Sequence, residues 1–288
     1  MPVNLTENQD WDIVIEPKNG LLSLNLKEVW KYKDLLMLFV RRDFVAEYKQ
    51  TVLGPIWYLI QPVFTAITFL FILNKMGGLP TDGLPPMLFY LSGLTVWTYF
   101  SSSLTKVSDT FIANSNIFGK VYFPRLIVPL SIITSNLIKL TLQFGLLLFF
   151  VAYFHFTDPS FTFHFHTELL LLPLPIILMA GISLGMGLLI SSMTTKYRDL
   201  KFALTFGVQL LMYGSAVIIS LNTIPENFKD ILKWNPIANV VELFRSILLG
   251  NHPIDWFGVI YSFVFLILLL FLGTVIFNKT EKTFMDTV

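Results

Sequence analysis

Side chains that could support catalysis are scarce in this sequence. Gly119-Lys120 resembles part of a phosphate-binding loop, but Val121 follows where Ser or Thr is required, and no glycine stands five positions earlier. Because the chain contains no cysteine, disulfides, thiolate metal sites and a cysteine nucleophile are excluded. The sequence therefore gives no reason to assign ATP hydrolysis to this chain.

Two groups of ionisable residues stand out from the apolar sequence. His155, His164 and His166 fall in one segment, but no carboxylate-rich ligand set accompanies them, so no metal site is predicted. Lys139 is a clear charge within an apolar run, where insertion costs about 2.5–3.5 kcal/mol. Two interpretations of Lys139 remain: its flexible side chain reaches the membrane interface, or it faces a cavity or a partner.

If the chain moves a substrate across a membrane, its source of energy is expected to lie in another polypeptide. Proton- and ion-driven carriers use buried carboxylates near the middle of the membrane, and the apolar runs contain none. Energy would then come from another polypeptide, which would have to bind the segments that connect the apolar runs.

The composition is that of a multi-pass membrane protein. Of 288 residues, 54% are hydrophobic and 14% charged, whereas soluble domains contain about 25% charged residues. A helix needs about 20 apolar residues to cross the hydrocarbon core. We predict an all-α fold with a six-helix transmembrane domain over residues 52–278, its spans at about 52–74, 87–105, 127–154, 169–193, 200–221 and 257–277.

Polar and small residues distinguish some of these spans. The second and fifth contain Ser, Thr, Gly, Tyr and Gln, which lipid would not stabilise. Each of these two helices is expected to face either a polar cavity or a closely packed partner helix. Gly181-x-x-x-Gly185 in the fourth span indicates close helix packing.

The distribution of Lys and Arg predicts the orientation. Fifteen of these 20 residues fall in the N-terminal region, the two connections on the same side and the C-terminal tail, against four in the opposite connections. This excess predicts that both termini are cytoplasmic. Residues 1–20 and 279–288 are polar tails, and residues 21–50 have the pattern of an amphipathic interface helix, followed by a predicted bend at Gly54-Pro55.

The longest outward segment, residues 222–256, is expected to contain structure of its own. Pro225, Pro236 and Pro253 separate two short helical patterns, at 226–234 and 237–249. Two short re-entrant helices before the last span fit this pattern and could form a lid. A surface hairpin is the alternative.

Four sequence motifs follow one another along the chain. They are Arg42-Asp43 with Tyr48 to Gly54, Trp57 and Gln61-Pro62; Asn116 with Lys120 to Arg125; Tyr197-Arg198-Asp199; and Pro225, Asn235-Pro236, Glu242, Phe244-Arg245 and Leu248 to Gly250. Each motif is weak alone. In this order and topology, they resemble nearly the whole length of the permease subunits of type-2 ABC exporters for polysaccharides, including O-antigen, capsule and teichoic-acid exporters.

The resemblance implies a division of labour between subunits. A separate ABC ATPase would bind ATP and Mg²⁺, so no cofactor is expected in this chain. Two permeases and two ATPase subunits would enclose a channel for a lipid-linked glycan in the bacterial inner membrane, with no nucleic acid involved. The residues implied in coupling are Arg41, Arg42, Asp43, Tyr48, Asn116, Lys120, Tyr122, Phe123, Pro124, Arg125, Arg198 and Asp199, and those of an outer gate are Pro225, Asn235, Pro236, Glu242 and Arg245.

A polymer too long for a fixed binding site needs a channel, and carbohydrates suit aromatic faces combined with hydrogen-bonding groups. The second and fifth spans supply both, and the residues predicted to line the channel are Tyr90, Trp97, Tyr99, Gln209 and Tyr213. Two rival functions remain open. One is an ABC exporter permease for another cargo, such as a drug or a small lipid; the other is a membrane-embedded enzyme or scaffold without an ATPase.

Overall fold

The computed structural model describes residues 26–49, 51–121, 123–224 and 226–284. Within these ranges all regular secondary structure is helical, as predicted. The predictions for the polar tail 1–20, for Tyr122 and for Pro225 lie outside the described residues. So do the first residues of the predicted interface helix and the last four residues of the chain.

The predicted interface helix and the bend after it are present. Helices α1 (Leu26–Lys31) and α2 (Lys33–Tyr48) cover most of the predicted interface segment. Gly54 has a φ of +53°, a conformation that glycine adopts without steric cost, and Pro55 lies in the 3-10 turn Gly54–Ile56. This turn leads into α3 (Trp57–Phe69), which continues as a π-helix over Leu70–Met76, so the predicted bend is confirmed.

Four predicted spans are confirmed as helices that could cross a membrane. In chain order the remaining helices are α4 (Pro86–Ser108), α5 (Thr110–Ala113), α6 (Ser115–Phe118), α7 (Ile127–Thr157), α8 (Pro173–Thr194), α9 (Leu200–Tyr213), α10 (Glu226–Lys233), α11 (Pro236–Leu249) and α12 (Trp256–Phe284), with a 3-10 helix at Thr167–Leu171. In the described part of the chain, four stretches are long and apolar enough: Gly54–Met76, Ile127–Thr157, Thr167–Thr194 and Trp256–Glu281. They match the first, third, fourth and sixth predicted spans.

The second and fifth predicted spans differ from the prediction. α4 has 23 residues and nearly the predicted bounds of the second span, but its polar side chains make it less hydrophobic than the four stretches above. α9 ends at Tyr213, so the predicted continuation to residue 221 is wrong. Its 14 residues extend about 21 Å, short of the roughly 30 Å hydrocarbon core. The helix stops because Ala216 has a φ of +55° and the carbonyls of Gly214 and Ala216 accept hydrogen bonds from α11 side chains.

α4 lies at the centre of the bundle, in contact with α3, α7, α8, α9 and α11. Seventeen of its 23 residues are buried, so little of its surface faces lipid. Several of its polar groups bond within the protein: Asn136 of α7 donates to Ser103 at 3.0 Å, and Arg245 of α11 donates to Ser92 at 3.4 Å. The structure therefore explains the polar residues of α4 by close packing rather than by an open cavity.

The small residues of α8 permit its close contact with α12. A Cβ atom at Gly185 would lie 2.8 Å from the backbone carbonyl carbon of Leu269, and one at Gly181 would lie 2.5 Å from the side chain of Leu266. The predicted packing role of these two glycines is confirmed. The five residues from Gly181 to Gly185 also have the spacing of a serine nucleophile motif, but Ser183 is buried within a continuous helix, where that motif cannot form its strand-to-helix turn.

We expect Gly185→Ala to destabilise the protein by about 1–3 kcal/mol, because the added methyl group overpacks the contact between α8 and α12. The measurement is the melting temperature of the detergent-solubilised protein, followed by size-exclusion chromatography. The matched control is Gly145→Ala in α7, where nothing lies within 4 Å of the added methyl group and helix propensity favours alanine. Equal melting temperatures for the two variants would contradict the packing.

Candidate functional site

One end of the bundle contains α2, residues 109–121 and 123–126, residues 194–201 and the last turns of α12, and we call it the basic end. Aromatic contacts join these segments. The ring of Phe123 lies 5.7 Å from that of Phe39 in α2 and 5.8 Å from that of Phe118, and Phe111 stacks on Phe277 of α12 at 4.6 Å. The interface helix and the segment predicted to couple with an ATPase therefore pack against each other.

Polar contacts tie the remaining segments to the basic end. Lys201 Nζ lies 2.5 Å from the carboxylate of Asp109, and Thr194 donates to the carbonyl of Ser108 at 2.9 Å. Arg125 donates to the backbone carbonyl of Glu281 and lies 3.8 Å from its carboxylate. The three segments that the resemblance assigns to ATPase contact therefore lie side by side.

The structure divides the predicted coupling residues into an exposed set and a packed set. The exposed set is Arg41, Asn116, Lys120, Arg198 and Asp199, and the packed set is Arg42, Asp43, Tyr48, Phe123, Pro124 and Arg125. Within the packed set, Arg42 and Asp43 pair with each other at 2.8 Å. A partner could bind the exposed set directly, whereas the packed set gives the surface its shape.

Tyr48 belongs to the packed set through its aromatic ring. The ring centroids of Phe44 and Tyr58 lie 4.7 and 5.3 Å from that of Tyr48. Desolvation by burial raises the pKa of Tyr48 to about 12, so the phenol is neutral at physiological pH. Tyr48 therefore joins α2 to α3 by packing and contributes no charge.

A charged cluster lies beside the basic end, and the sequence predicted only one of its members. Glu47 of α2 lies 2.6 Å from Lys139 Nζ and also accepts hydrogen bonds from Lys106 and from the hydroxyl of Tyr58. The side chain of Lys139 is 8% exposed, so the structure supports a partner rather than the membrane interface. In the sequence, Lys139 within an apolar run indicates that a partner is needed. The sequence does not identify Glu47 as that partner, because Glu47 lies outside the apolar runs.

The predicted gate segment contains α10 and α11, whose bounds lie within one residue of the two predicted helical patterns. Thirteen of the 14 residues of α11 are buried, so α11 belongs to the bundle and not to a surface hairpin. Asn235 caps α11 by accepting from the N–H of Ile237 at 3.0 Å. Gly250 ends it with a φ of +64°, the left-handed conformation that commonly terminates helices.

Three predicted gate residues hold residues 214–221, the turn that follows α9. The bonds are Asn235 Nδ2 to the carbonyl of Gly214 at 2.7 Å, Arg245 to the carbonyl of Ala216 at 2.9 Å and the N–H of Leu221 to Glu242 at 2.9 Å. The gate segment therefore fixes the path of the chain as it leaves α9. Pro236 is buried at the first turn of α11.

Arg245 is fully buried, and neighbouring groups compensate its charge. Its guanidinium lies 3.1 Å from the carboxylate of Glu242 and 3.9 Å from the ring centroid of Phe89 in α4. A buried cation is stable only with such partners, because burial removes its hydration. Arg245 thus links the gate segment to the central helix.

Two of the three clustered histidines bond to backbone groups. His155 accepts from the N–H of Phe163 at 3.1 Å, and the ring of His166 lies 2.9 Å from the carbonyl of Ile247 in α11. Among the residues that the structure describes, no group of three or more side chains could hold a metal ion. The contact of His166 holds residues 155–166 against α11.

The residues predicted to line a channel differ in their exposure. Tyr90, Trp97 and Tyr99 are at most 5% exposed, because the helices around α4 cover them. Within one chain these three are core residues, contrary to the prediction that they face a conduit. Gln209 and Tyr213 of α9 are exposed, with Tyr213 65% exposed. Sequence alone could not separate the two groups, since both spans carry aromatic and polar side chains.

A family model described as the ABC-2 type transporter matches residues 34–249. The chain belongs to this family. The match begins in α2 and ends with α11, so it includes the charged cluster, the helices α10 and α11, and the basic end apart from the last turns of α12. The ABC-2 assignment agrees with the resemblance carried by the four sequence motifs, and with a multi-pass membrane protein.

Several ABC-2 relatives are similar over most of their length. The O-antigen export system permease protein RfbA of Klebsiella pneumoniae is 26% identical, with 92% of this chain and 99% of that protein covered. RfbA of Myxococcus xanthus is 21% identical, with coverages of 91% and 98%. The polysialic acid transport protein KpsM of Escherichia coli is 23% identical, with coverages of 85% and 93%.

In this ABC-2 chain, Arg245→Met is expected to lower the stability by about 3 kcal/mol, because the carboxylate of Glu242 loses its cation in a mostly buried site. The double variant Glu242→Gln/Arg245→Met removes both charges and is expected to recover part of that loss. Chemical denaturation in detergent micelles measures the stability of the double variant and of the two single variants, Arg245→Met and Glu242→Gln. A double variant that is as unstable as the sum of the two single variants would show that the pair is not coupled.

Proposed function

We propose that this chain is the channel-forming permease subunit of an ATP-driven exporter, which moves a lipid-linked polysaccharide such as an O-antigen, capsule or teichoic acid across the bacterial inner membrane. The observation that carries the proposal is the nearly full-length similarity to permeases named for two different polysaccharides, O-antigen and polysialic acid. Similarity to exporters of both polymers favours a polysaccharide over a drug or a small lipid.

A separate ATPase subunit would bind at the basic end. Lys120 and Arg198 are exposed there, beside Asp199, which gives the surface charges of both signs. Exposed charges around a binding surface increase the rate of association and fix the orientation of the partner more than they raise the affinity. The excess of Lys and Arg in the segments of this end supports a cytoplasmic location for it and for both termini.

A second copy of the chain would complete the conduit. None of the residues of α9 is buried within the single chain, and α3 buries only Pro62 and Ala66. α9 is too short to span a bilayer and exposes Gln209 and Tyr213, which lipid alone would not stabilise. Pairing the α3 and α9 surfaces of two copies would cover their apolar residues and leave these two side chains along a polar path.

Lys120→Glu is expected to weaken binding of the ATPase subunit roughly tenfold, or about 1.4 kcal/mol, because an exposed attraction becomes a repulsion. The measurement is the dissociation constant of the purified ATPase for the permease in nanodiscs. Lys75→Glu is the matched control, since it makes the same charge change at an exposed site on the span end away from the predicted interface. Equal effects of the two substitutions would contradict the assignment of the binding surface.

Tyr213→Ala is expected to reduce export several-fold in a complemented deletion strain, while the permease still co-purifies with the ATPase. The expectation follows from the loss of an exposed aromatic face for sugar rings. Phe263→Ala on α12 is the control, because it removes an aromatic ring of similar exposure from a different helix. Unchanged surface glycan in the Tyr213 variant, by quantitative immunoblot, would exclude this residue from the conduit.

A further inference from the structure

The carboxylate of Glu47 joins four helices at one point. It belongs to α2, lies 2.6 Å from Lys139 of α7, and accepts hydrogen bonds from Lys106 of α4 and Tyr58 at the start of α3. Lys139 Nζ also lies 4.9 Å from the ring centroid of Tyr58. No other contact in the described chain brings a charged group of α2 to three helices of the bundle.

The charges of the cluster make it sensitive to the loss of Glu47. Two lysines face one carboxylate, and the side chain of Lys139 is 8% exposed while that of Glu47 is 27% exposed. Asp43, one turn earlier on α2, pairs with Arg42 at 2.8 Å, and its negative charge also acts on both lysines. Without Glu47, the two lysines would lose the carboxylate that contacts both of them directly, in a site with little solvent to screen the remaining charges.

The position of Glu47 matters because the rest of α2 is attached elsewhere. Phe39 and Val40 are the buried residues of α2, and both lie more than one turn before Glu47. Residues 51–53, which follow α2, are exposed, with Val52 fully exposed, before the bend at Gly54. The last turn of α2 is attached to the bundle by the packing of Tyr48 against Tyr58 of α3 and by the ionic contacts of Glu47. Of these, only the contacts of Glu47 reach α4 and α7.

We propose that Glu47 is a positioning residue that makes α2 move as one body with α3, α4 and α7. Its contacts with Lys106 and Lys139 bypass the exposed connection at residues 51–53. A displacement of α2 then reaches the central helix α4 directly. The consequence for export rests on the proposed function, whereas the attachment itself does not, and the two can be measured separately.

The first measurement uses the permease alone in nanodiscs. Because the chain has no cysteine, Leu38→Cys on α2 and Phe149→Cys on α7 create two unique labelling sites, both exposed and away from the cluster. Pulsed electron paramagnetic resonance gives the distance distribution between spin labels at these sites. Glu47→Gln is expected to broaden this distribution, because α2 loses its ionic attachment while the side chain keeps its shape.

Two matched variants separate the cluster from general effects of charge. Asp34→Asn removes an exposed carboxylate from the first turn of the same helix, away from the cluster, and is expected to leave the distribution narrow. The charge swap Glu47→Lys/Lys106→Glu keeps two cations and one anion in the cluster and is expected to restore the narrow distribution. If Glu47→Gln does not fold, the charge-swap variant still tests the attachment. A folded swap variant with a broad distance distribution would overturn the proposal.

The second measurement adds the ATPase and determines glycan exported per ATP hydrolysed. Glu47→Gln is expected to lower this ratio roughly tenfold, consistent with losing one strong charged contact, while ATPase binding is retained. A narrow distance distribution in Glu47→Gln overturns the proposal whatever the export result. The two claims can also fail separately. If Glu47→Gln broadens the distribution but the unmodified permease exports no glycan, the attachment is supported and the proposed function is contradicted.

Discussion

The burial of α4 is the constraint on which the rest of the structure depends. A buried helix must have its polar and charged groups paired by its neighbours, because nothing else replaces their hydration. α4 finds such partners at three levels: Lys106 binds Glu47 of α2, Ser103 accepts from Asn136 of α7, and Ser92 accepts from Arg245 of α11, whereas the buried hydroxyls of Tyr90 and Tyr99 have no partner within the described chain. The helix that needs these partners therefore also connects the interface helix at the basic end with the gate segment at the other.

α9 has the complementary role, since it is held mainly at its two ends. Lys201 in its first turn pairs with Asp109 at the basic end, and the carbonyl of Gly214 after its last turn accepts from Asn235 of the gate segment. Between these points its side chains are exposed or half-buried. Leu204, Val208 and Leu211 pack against the core on one side of α9, whereas Gln209 and Tyr213 are exposed on the other.

The sequence predicted those parts of the fold that depend on local information. Four spans are predicted from their length and hydrophobicity alone, and the ends of α11 are predicted from Pro236 and Gly250. The end of α9 was missed because its turn is fixed by side chains of α11, which are distant in sequence. The partner of Lys139 was missed for the same reason, since a contact with Glu47 exists only in the folded chain. Tyr90 and Tyr213 were both predicted to line the channel, because the residue type alone does not show that Tyr90 is buried and Tyr213 exposed.

The central claim, that an ATPase acting at the basic end drives a glycan through a conduit formed by this chain, is tested most directly by reconstitution. Purified permease and ATPase would be placed in vesicles with the lipid-linked glycan, and the fraction of glycan protected from an added glycosidase would be followed over time. The account predicts protection that grows only with ATP and only with both subunits present. ATP hydrolysis by the assembled complex without any protected glycan would contradict it.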